Sequence, residues 1–236
     1  HRISREGVVQ NSFITFWGML GFQAGYLNAF GFLSCGRYVS HVTGFGTQIG
    51  IALAEREFSF ASLLIGFPLF FVLGAVFSGL LTSSQLEFGR HPRFDVVAAL
   101  IPLILLLVIV SGEFGLLGKF NQQTSRPDSF VLLYILTFVC GLQNACFTEM
   151  TKGQIRTTHL TGLSTDIGIG IARLVYGRSN SEEAHLIKRL NLCRLATFFC
   201  FGLGSITSIL VAKRHDFRAL AIPFVTSMIS FLAIRI

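Results

Sequence analysis

The chain has 236 residues, of which 52% are hydrophobic and only 13% charged, and its formal net charge is +7. Soluble domains carry about 25% charged residues, so a soluble fold of this size could not cover so many apolar side chains. The composition therefore argues against a soluble enzyme. It also argues against a nucleic-acid-binding protein, because the basic residues lie in short clusters between apolar runs, as they do beside membrane spans.

Six apolar runs predict helices that cross a membrane. In chain order they cover residues 13–33, 60–81, 96–110, 130–147, 195–212 and 219–234. A bilayer core of about 30 Å requires roughly 20 helical residues, so the two shortest runs need flanking residues to span it. The alternating pattern of a membrane β-barrel is absent from the sequence. We therefore predict an all-α, multi-pass integral membrane protein.

Two further apolar runs, residues 41–54 and 159–172, are too short to cross a bilayer. Charged residues follow them directly, at Glu55 and at Arg173. These runs predict two half-helices that enter the membrane without spanning it.

Three blocks of the sequence recur in the same order. Residues 25–29 resemble 141–145, residues 41–54 resemble 159–172, and residues 93–95 resemble 214–216. The spacing is nearly constant, which predicts a duplicated unit: residues 1–112, a linker at 113–128, and residues 129–236. Three crossings in each unit would give the units opposite orientations, as in many transporters. If the short helices also crossed the membrane, the chain would have eight spans and the two units would be parallel. The distribution of basic residues favours six spans.

The repeated motifs also carry a resemblance. With Gly25-x-x-Asn28-Ala29 and His41-x-Thr43-Gly44 in the first unit and Arg156-Thr-Thr-His159-x-Thr161-Gly162 in the second, the chain resembles the YoaK-like family of bacterial membrane proteins. That family usually has aspartate at the position of Asn28 and asparagine at the position of Phe45. The resemblance implies a multi-pass protein of the bacterial inner membrane and implies no particular substrate.

The start of each short helix is the candidate binding site. Ser40 and Thr158 are predicted N-cap residues, and each is followed by the same pattern. The members of that pattern are His41, Thr43 and Gly44 in the first unit and His159, Thr161 and Gly162 in the second. A helix N-terminus carries about half a positive charge and binds anions readily. The pattern therefore predicts solute binding, with helix capping and close helix packing as the alternative.

Other polar residues within the apolar runs are candidates for the same site. Asn28 and Asn144 could bind solute or hold the short helices by hydrogen bonds. Asp166 lies two helical turns beyond His159, at the position where the first unit has the neutral Gln48. In apolar surroundings a carboxylate favours its protonated form, so Asp166 is expected to exchange a proton during transport. A solvated helix end is the alternative explanation of Asp166.

Arg194 stands immediately before an uncharged run. We predict that its side chain extends toward the membrane interface. An ion pair with Asp166 or Glu149 is the alternative.

The preferred function is a secondary transporter or channel for a small solute, anionic rather than cationic, that binds between the two short helices. One alternative is a membrane enzyme or a metal or haem protein that uses His41 and His159. Another is a scaffold subunit without a ligand. The sequence contains no Walker, G-x-S-x-G or H-E-x-x-H motif. No cofactor is predicted, and the expected partners are the solute, the lipid bilayer and, as an open question, further copies of the chain.

Overall fold

The computed structural model describes residues 11–118, 120, 127–177 and 181–235, and within these residues it contains helices and no strand. The helices are α1 (Asn11–Cys35), α2 (Val42–Ala54), α3 (Phe58–Leu81), α4 (Ser83–Glu87), α5 (Phe94–Glu113), α6 (Pro127–Met150), α7 (Leu160–Tyr176), α8 (Ser181–His215), a 3-10 helix (Asp216–Leu220) and α9 (Ala221–Arg235). The predicted all-α class is therefore confirmed.

Four segments of the described chain are long and apolar enough to cross a membrane: Phe58–Glu87, Phe94–Glu113, Phe130–Met150 and Glu182–Ile234. The last segment contains two of the predicted spans, because a 3-10 turn joins α8 directly to α9. The predicted first span lies in α1, which is 25 residues long but is not one of the four. Gln23, Asn28 and several glycines lower the hydropathy of α1. Six crossings remain a prediction.

Two long helix pairs form the body of the protein, and the first consists of α1 and α8. A Cβ atom at Gly25 would overlap the carbonyl oxygen of Phe201, and one at Gly204 would overlap the carbonyl oxygen of Phe22. The two backbones thus approach too closely for any side chain at these points. Small residues commonly permit such contacts between membrane helices.

The second pair consists of α3 and α6. Here a Cβ atom at Gly141 would overlap the carbonyl oxygen of Phe71, and one at Gly74 would overlap that of Phe138. Glycine therefore sets the closest approach in both pairs.

The short helices pack against the outside of these pairs, α2 on α3 and α7 on α8. Phe45 anchors α2, since its ring stacks on Phe67 with the centroids 4.0 Å apart. Leu163 is the buried anchor at the equivalent place in α7. The first half-helix begins and ends within one residue of its predicted bounds, whereas α7 continues past residue 172 to Tyr176.

Candidate solute-binding site

A cavity of about 470 Å³ lies where α2 and α7 begin. The N-terminal half of the chain contributes Asn28, Tyr38, Ser40, His41, Val42 and Thr43, and the C-terminal half contributes Thr158, His159, Leu160, Thr161 and Phe201. The fold therefore brings the two copies of the repeated motif to one cavity. None of the described residues that line it is Asp, Glu, Lys or Arg.

Both short helices begin without a side-chain cap. The N-cap residues are His41 and His159, and neither caps its helix through its side chain. The prediction that Ser40 and Thr158 are the N-caps is thus wrong. The physical reason for Ser40 is that its hydroxyl donates instead to Asn28 Oδ1, at 3.0 Å. The first-turn N–H groups of α2 and α7 therefore receive no hydrogen bond from the side chains of their N-cap residues.

Asn28 performs a structural task at the rim of this cavity. Its Oδ1 accepts hydrogen bonds from both the backbone N–H and the hydroxyl of Ser40, at 3.1 and 3.0 Å. It thereby fixes the chain just before α2 while also lining the cavity. Asn144 does not line the cavity, and its buried Oδ1 has no hydrogen-bond partner in the described part of the chain.

The second motif presents unsatisfied polar atoms. Thr158 is only 5% exposed, and its Oγ1 bonds to nothing within the described residues. The Nε2 atom of His159 is likewise buried without a partner there. A buried polar group without a partner costs about 1–3 kcal/mol. A ligand with acceptor or donor atoms would remove that cost.

His159 lies between α6 and α7, outside the four membrane-length segments. Burial, together with the positive charge of Arg156, lowers the pKa of His159 below its ordinary value. The neutral imidazole is therefore favoured, with one nitrogen as a donor and the other as an acceptor.

A buried amide pair fixes the segment before α7. Gln143 Oε1 accepts from Gln23 Nε2 at 3.0 Å, and Gln143 Nε2 donates to the carbonyl of Leu20 at 3.2 Å and to Thr157 Oγ1 at 3.4 Å. Thr157 precedes Thr158, so this network holds the wall of the cavity in place. The repeated sequence motifs do not indicate Gln23, because its partner Gln143 is 120 residues away in the sequence.

The other predicted site residues lie outside the cavity lining. A Cβ atom at Gly44 would lie 2.7 Å from Nδ1 of His41, so this glycine leaves room for the imidazole ring. Gly162 has more space, with the nearest atom 3.6 Å from such a Cβ, on Arg156. Both glycines therefore lie beside the site without lining it.

Gln48 and Asp166 lie further along the short helices, away from the cavity. Gln48 Oε1 accepts a hydrogen bond from Arg37. Asp166 Oδ2 forms an ion pair with Arg194 Nη2 at 3.4 Å, and the Arg194 side chain is only 14% exposed. The alternative prediction for Arg194, an ion pair with Asp166, is therefore confirmed. Tertiary contact brings these groups together, which their separation in sequence does not reveal.

The fold and the cavity define a helical protein with membrane-length helices and a cavity at which two short helices begin. Residues 16–233 match the family described as "Protein of unknown function (DUF1275)", and the chain belongs to this family. No curated protein and no solved structure is significantly similar to the chain. The function must therefore be argued from the cavity itself.

Proposed function

We propose that this protein is a secondary transporter or channel that binds a small anionic solute between the N-termini of α2 and α7. One observation carries the proposal: a single cavity collects two uncapped helix N-termini, the unpartnered hydroxyl of Thr158 and the imidazole of His159. A small ligand with donor and acceptor atoms would satisfy all of these groups at once.

Electrostatics favours an anion at this place. Each helix N-terminus carries about half a positive charge on its free N–H groups. Membrane surroundings screen that charge less than water does, and half-helix N-termini bind anionic groups in several carriers. A cation would face two positive helix ends, and none of the described lining residues is a carboxylate that could balance it.

The volume of the cavity favours a metabolite-sized solute. Pockets for small molecules commonly measure about 300–1,000 Å³, and this cavity measures about 470 Å³. A macromolecular ligand, including nucleic acid, is not proposed.

We also propose six crossings, an inverted repeat and residence in the bacterial inner membrane, in agreement with the YoaK-like resemblance. The glycine contacts support a repeat. The close approach of Gly25 to Phe201 corresponds to that of Gly141 to Phe71. The close approach of Gly204 to Phe22 likewise corresponds to that of Gly74 to Phe138. The contact residues of α1 and their counterparts in α6 differ by one constant number of positions in the sequence. The contact residues of α3 and their counterparts in α8 differ by another constant number. In this arrangement each unit contributes one helix to each pair, and the cavity lies between the units.

A thermal-shift screen of the purified protein tests the proposal. The panel contains small carboxylates, inorganic phosphate and sulfate, neutral polyols and amines. A bound anion should raise the melting temperature, because ligand at a hundredfold excess over Kd stabilises the folded state by about 2.7 kcal/mol. A response to amines alone would contradict the anionic solute. A scaffold subunit without ligand would respond to no member of the panel.

Matched threonine variants then locate the binding. Thr43 and Thr161 line the cavity, whereas Thr47 and Thr165 lie one turn further along the same helices and do not. Thr43→Val and Thr161→Val should each weaken binding of the stabilising anion about 5- to 150-fold, since the loss of a hydroxyl contact costs about 1–3 kcal/mol. Thr47→Val and Thr165→Val should leave the affinity unchanged. Equal affinity in all four variants would place the ligand elsewhere.

A metal or haem protein is the second candidate, because His41 and His159 line the same cavity. No group of three or more His, Cys, Asp or Glu residues is gathered into a metal-binding cluster in the described part of the chain. Metal analysis and an absorption spectrum of the purified protein test this candidate. Bound metal or a Soret band that is lost in His41→Ala and in His159→Ala would favour it over the transporter.

A further inference from the structure

A second recess lies between α7 and α8 and shares no lining residue with the solute cavity. This crevice has a volume of about 180 Å³. Its charged lining residues are Asp166, Arg173 and Arg194, and its apolar ones are Ile169, Ile187 and Leu190. It thus combines two guanidinium groups and one carboxylate with an apolar wall, so its charged side chains are positive on balance.

Close packing of the two helices fixes the crevice. A Cβ atom at Gly170 would overlap the side-chain amide of Asn191, so α7 and α8 approach closely at this point. Asn191 Nδ2 donates to the carbonyl of Ile167 at 3.3 Å, and Asn191 Oδ1 accepts from Arg194 Nη1 at 3.1 Å. Arg194 is therefore held in place by Asn191 as well as by Asp166.

The second guanidinium is placed differently. Arg173 lies in the last turn of α7 and is exposed. Its side chain makes no hydrogen bond or ion pair with any residue in the described ranges. The crevice consequently presents one anchored and one projecting positive group.

The corresponding crevice beside α2 has the opposite charge. It is lined by one arginine, Arg37, and by two acids, Glu55 and Glu57, together with Gln48 and Phe60. Gln48 stands where α7 has Asp166, and Glu55 stands where α7 has Arg173. The positive charge beside α7 is therefore not a general property of the half-helices.

The sequence of α8 indicates the level of the positive crevice relative to the membrane. Arg194 is the last charged residue before the uncharged run 195–212. The crevice thus lies where α8 passes from its charged segment into its apolar segment, which is the level of lipid headgroups. Ile169 is 49% exposed there and provides apolar surface beside the arginines.

We propose that the crevice between α7 and α8 binds the phosphate of an anionic phospholipid, with Arg173 as its direct contact and an acyl chain along Ile169. Arg194, whose terminal nitrogens donate to Asp166, Asn191 and Gln154, supplies a second positive charge behind it. Basic pockets between membrane helices bind anionic headgroups in this way. This proposal is independent of the solute cavity, since the two sites share no residue.

The test measures the melting temperature in a neutral detergent while phosphatidylglycerol, phosphatidylcholine or inorganic phosphate is added. Phosphatidylglycerol should stabilise the wild type, and phosphatidylcholine and phosphate should not. Arg173→Gln should require about fivefold more phosphatidylglycerol for the same shift, which is the contribution expected of one arginine at a membrane surface. Arg90→Gln is the matched control, because Arg90 is exposed and lies outside the crevice.

Three results would overturn the proposal. An equal response to phosphatidylglycerol in Arg173→Gln, Arg90→Gln and the wild type would show that the lipid does not use this crevice. Equal stabilisation by inorganic phosphate would show that the crevice takes a free anion rather than a lipid. A role of Arg173 confined to the α7 dipole would lower stability equally with and without lipid, and that outcome also refutes the proposal.

Discussion

The close contact between α1 and α8 can be tested by adding one methyl group at either of two glycines of α8. A Cβ atom at Gly204 would overlap the carbonyl oxygen of Phe22, whereas one at Gly202 would meet nothing within 4 Å. Both glycines lie in the interior of the same helix and differ in this surrounding space. Gly202→Ala is therefore a matched control for Gly204→Ala.

The expected magnitudes follow from two effects. Alanine in place of glycine in a helix interior stabilises it by about 1 kcal/mol at either position. Overpacking costs about 1–3 kcal/mol, and at Gly204 the obstacle is a backbone carbonyl that cannot rotate away. Gly202→Ala should thus be neutral or stabilising, and Gly204→Ala should be about 1–3 kcal/mol less stable than Gly202→Ala.

Fluorescence of Trp17 provides the assay. It is the single tryptophan of the chain, it is fully buried in α1, and its carbonyl accepts a hydrogen bond from Thr197 of α8 at 3.4 Å. For a chain of this length 1 kcal/mol corresponds to a shift in melting temperature of about 2–4 °C. Equal melting temperatures of Gly202→Ala and Gly204→Ala would refute the close contact between α1 and α8.

Two further predictions concern topology and titration. If the repeats are inverted, single cysteines at Arg93 and Arg214 should be labelled from opposite sides of the membrane. Folding lowers the pKa of His159, so as the pH falls the unfolded chain binds a proton at this residue before the folded chain does. The stability of the fold should therefore decrease below about pH 6.5. The His159→Gln variant should show a smaller decrease.

Each of these predictions has an opposing result. Labelling of both cysteines from one side would favour eight crossings and parallel repeats. An unchanged pH dependence of the melting temperature in His159→Gln would assign the acid sensitivity to another group.

The two short helices could be predicted from sequence because their apolar runs are short and their sequence pattern recurs. The predicted end of the first, at residue 54, agrees with α2, whereas α7 continues four residues beyond its predicted end at residue 172. Arg173 was expected to terminate α7. A cation in the last turn of a helix is instead favourable, because it faces the negative end of the helix dipole.

The polar contacts could not be predicted in the same way, because they depend on distances across the fold. Arg194 and Asp166 are 28 residues apart in sequence and lie on different helices. Gln23 and Gln143 are 120 residues apart and are joined only when α1 meets α6. Hydropathy and periodicity specify which face of a helix is apolar, but they do not specify which polar side chains meet.

The two copies of the motif differ in one respect that sequence similarity conceals, and this difference gives a last prediction. The hydroxyl of Ser40 is satisfied by Asn28, whereas the hydroxyl at the equivalent Thr158 has no partner in the described structure. Ser40→Ala should therefore lower stability by about 1 kcal/mol. Thr158→Val removes a buried, unsatisfied group without changing the shape of the side chain, so it should leave the melting temperature unchanged or raise it.

The effect of these two variants on binding should be the reverse. If the solute satisfies Thr158, Thr158→Val should weaken its binding about 5- to 150-fold, since the lost contact is worth about 1–3 kcal/mol. Ser40→Ala should change the affinity far less, because its hydroxyl is already engaged by Asn28. Isothermal titration of both variants with the anion found in the screen measures the difference. Weaker binding in Ser40→Ala than in Thr158→Val would mean that the second motif does not bind the solute through this hydroxyl.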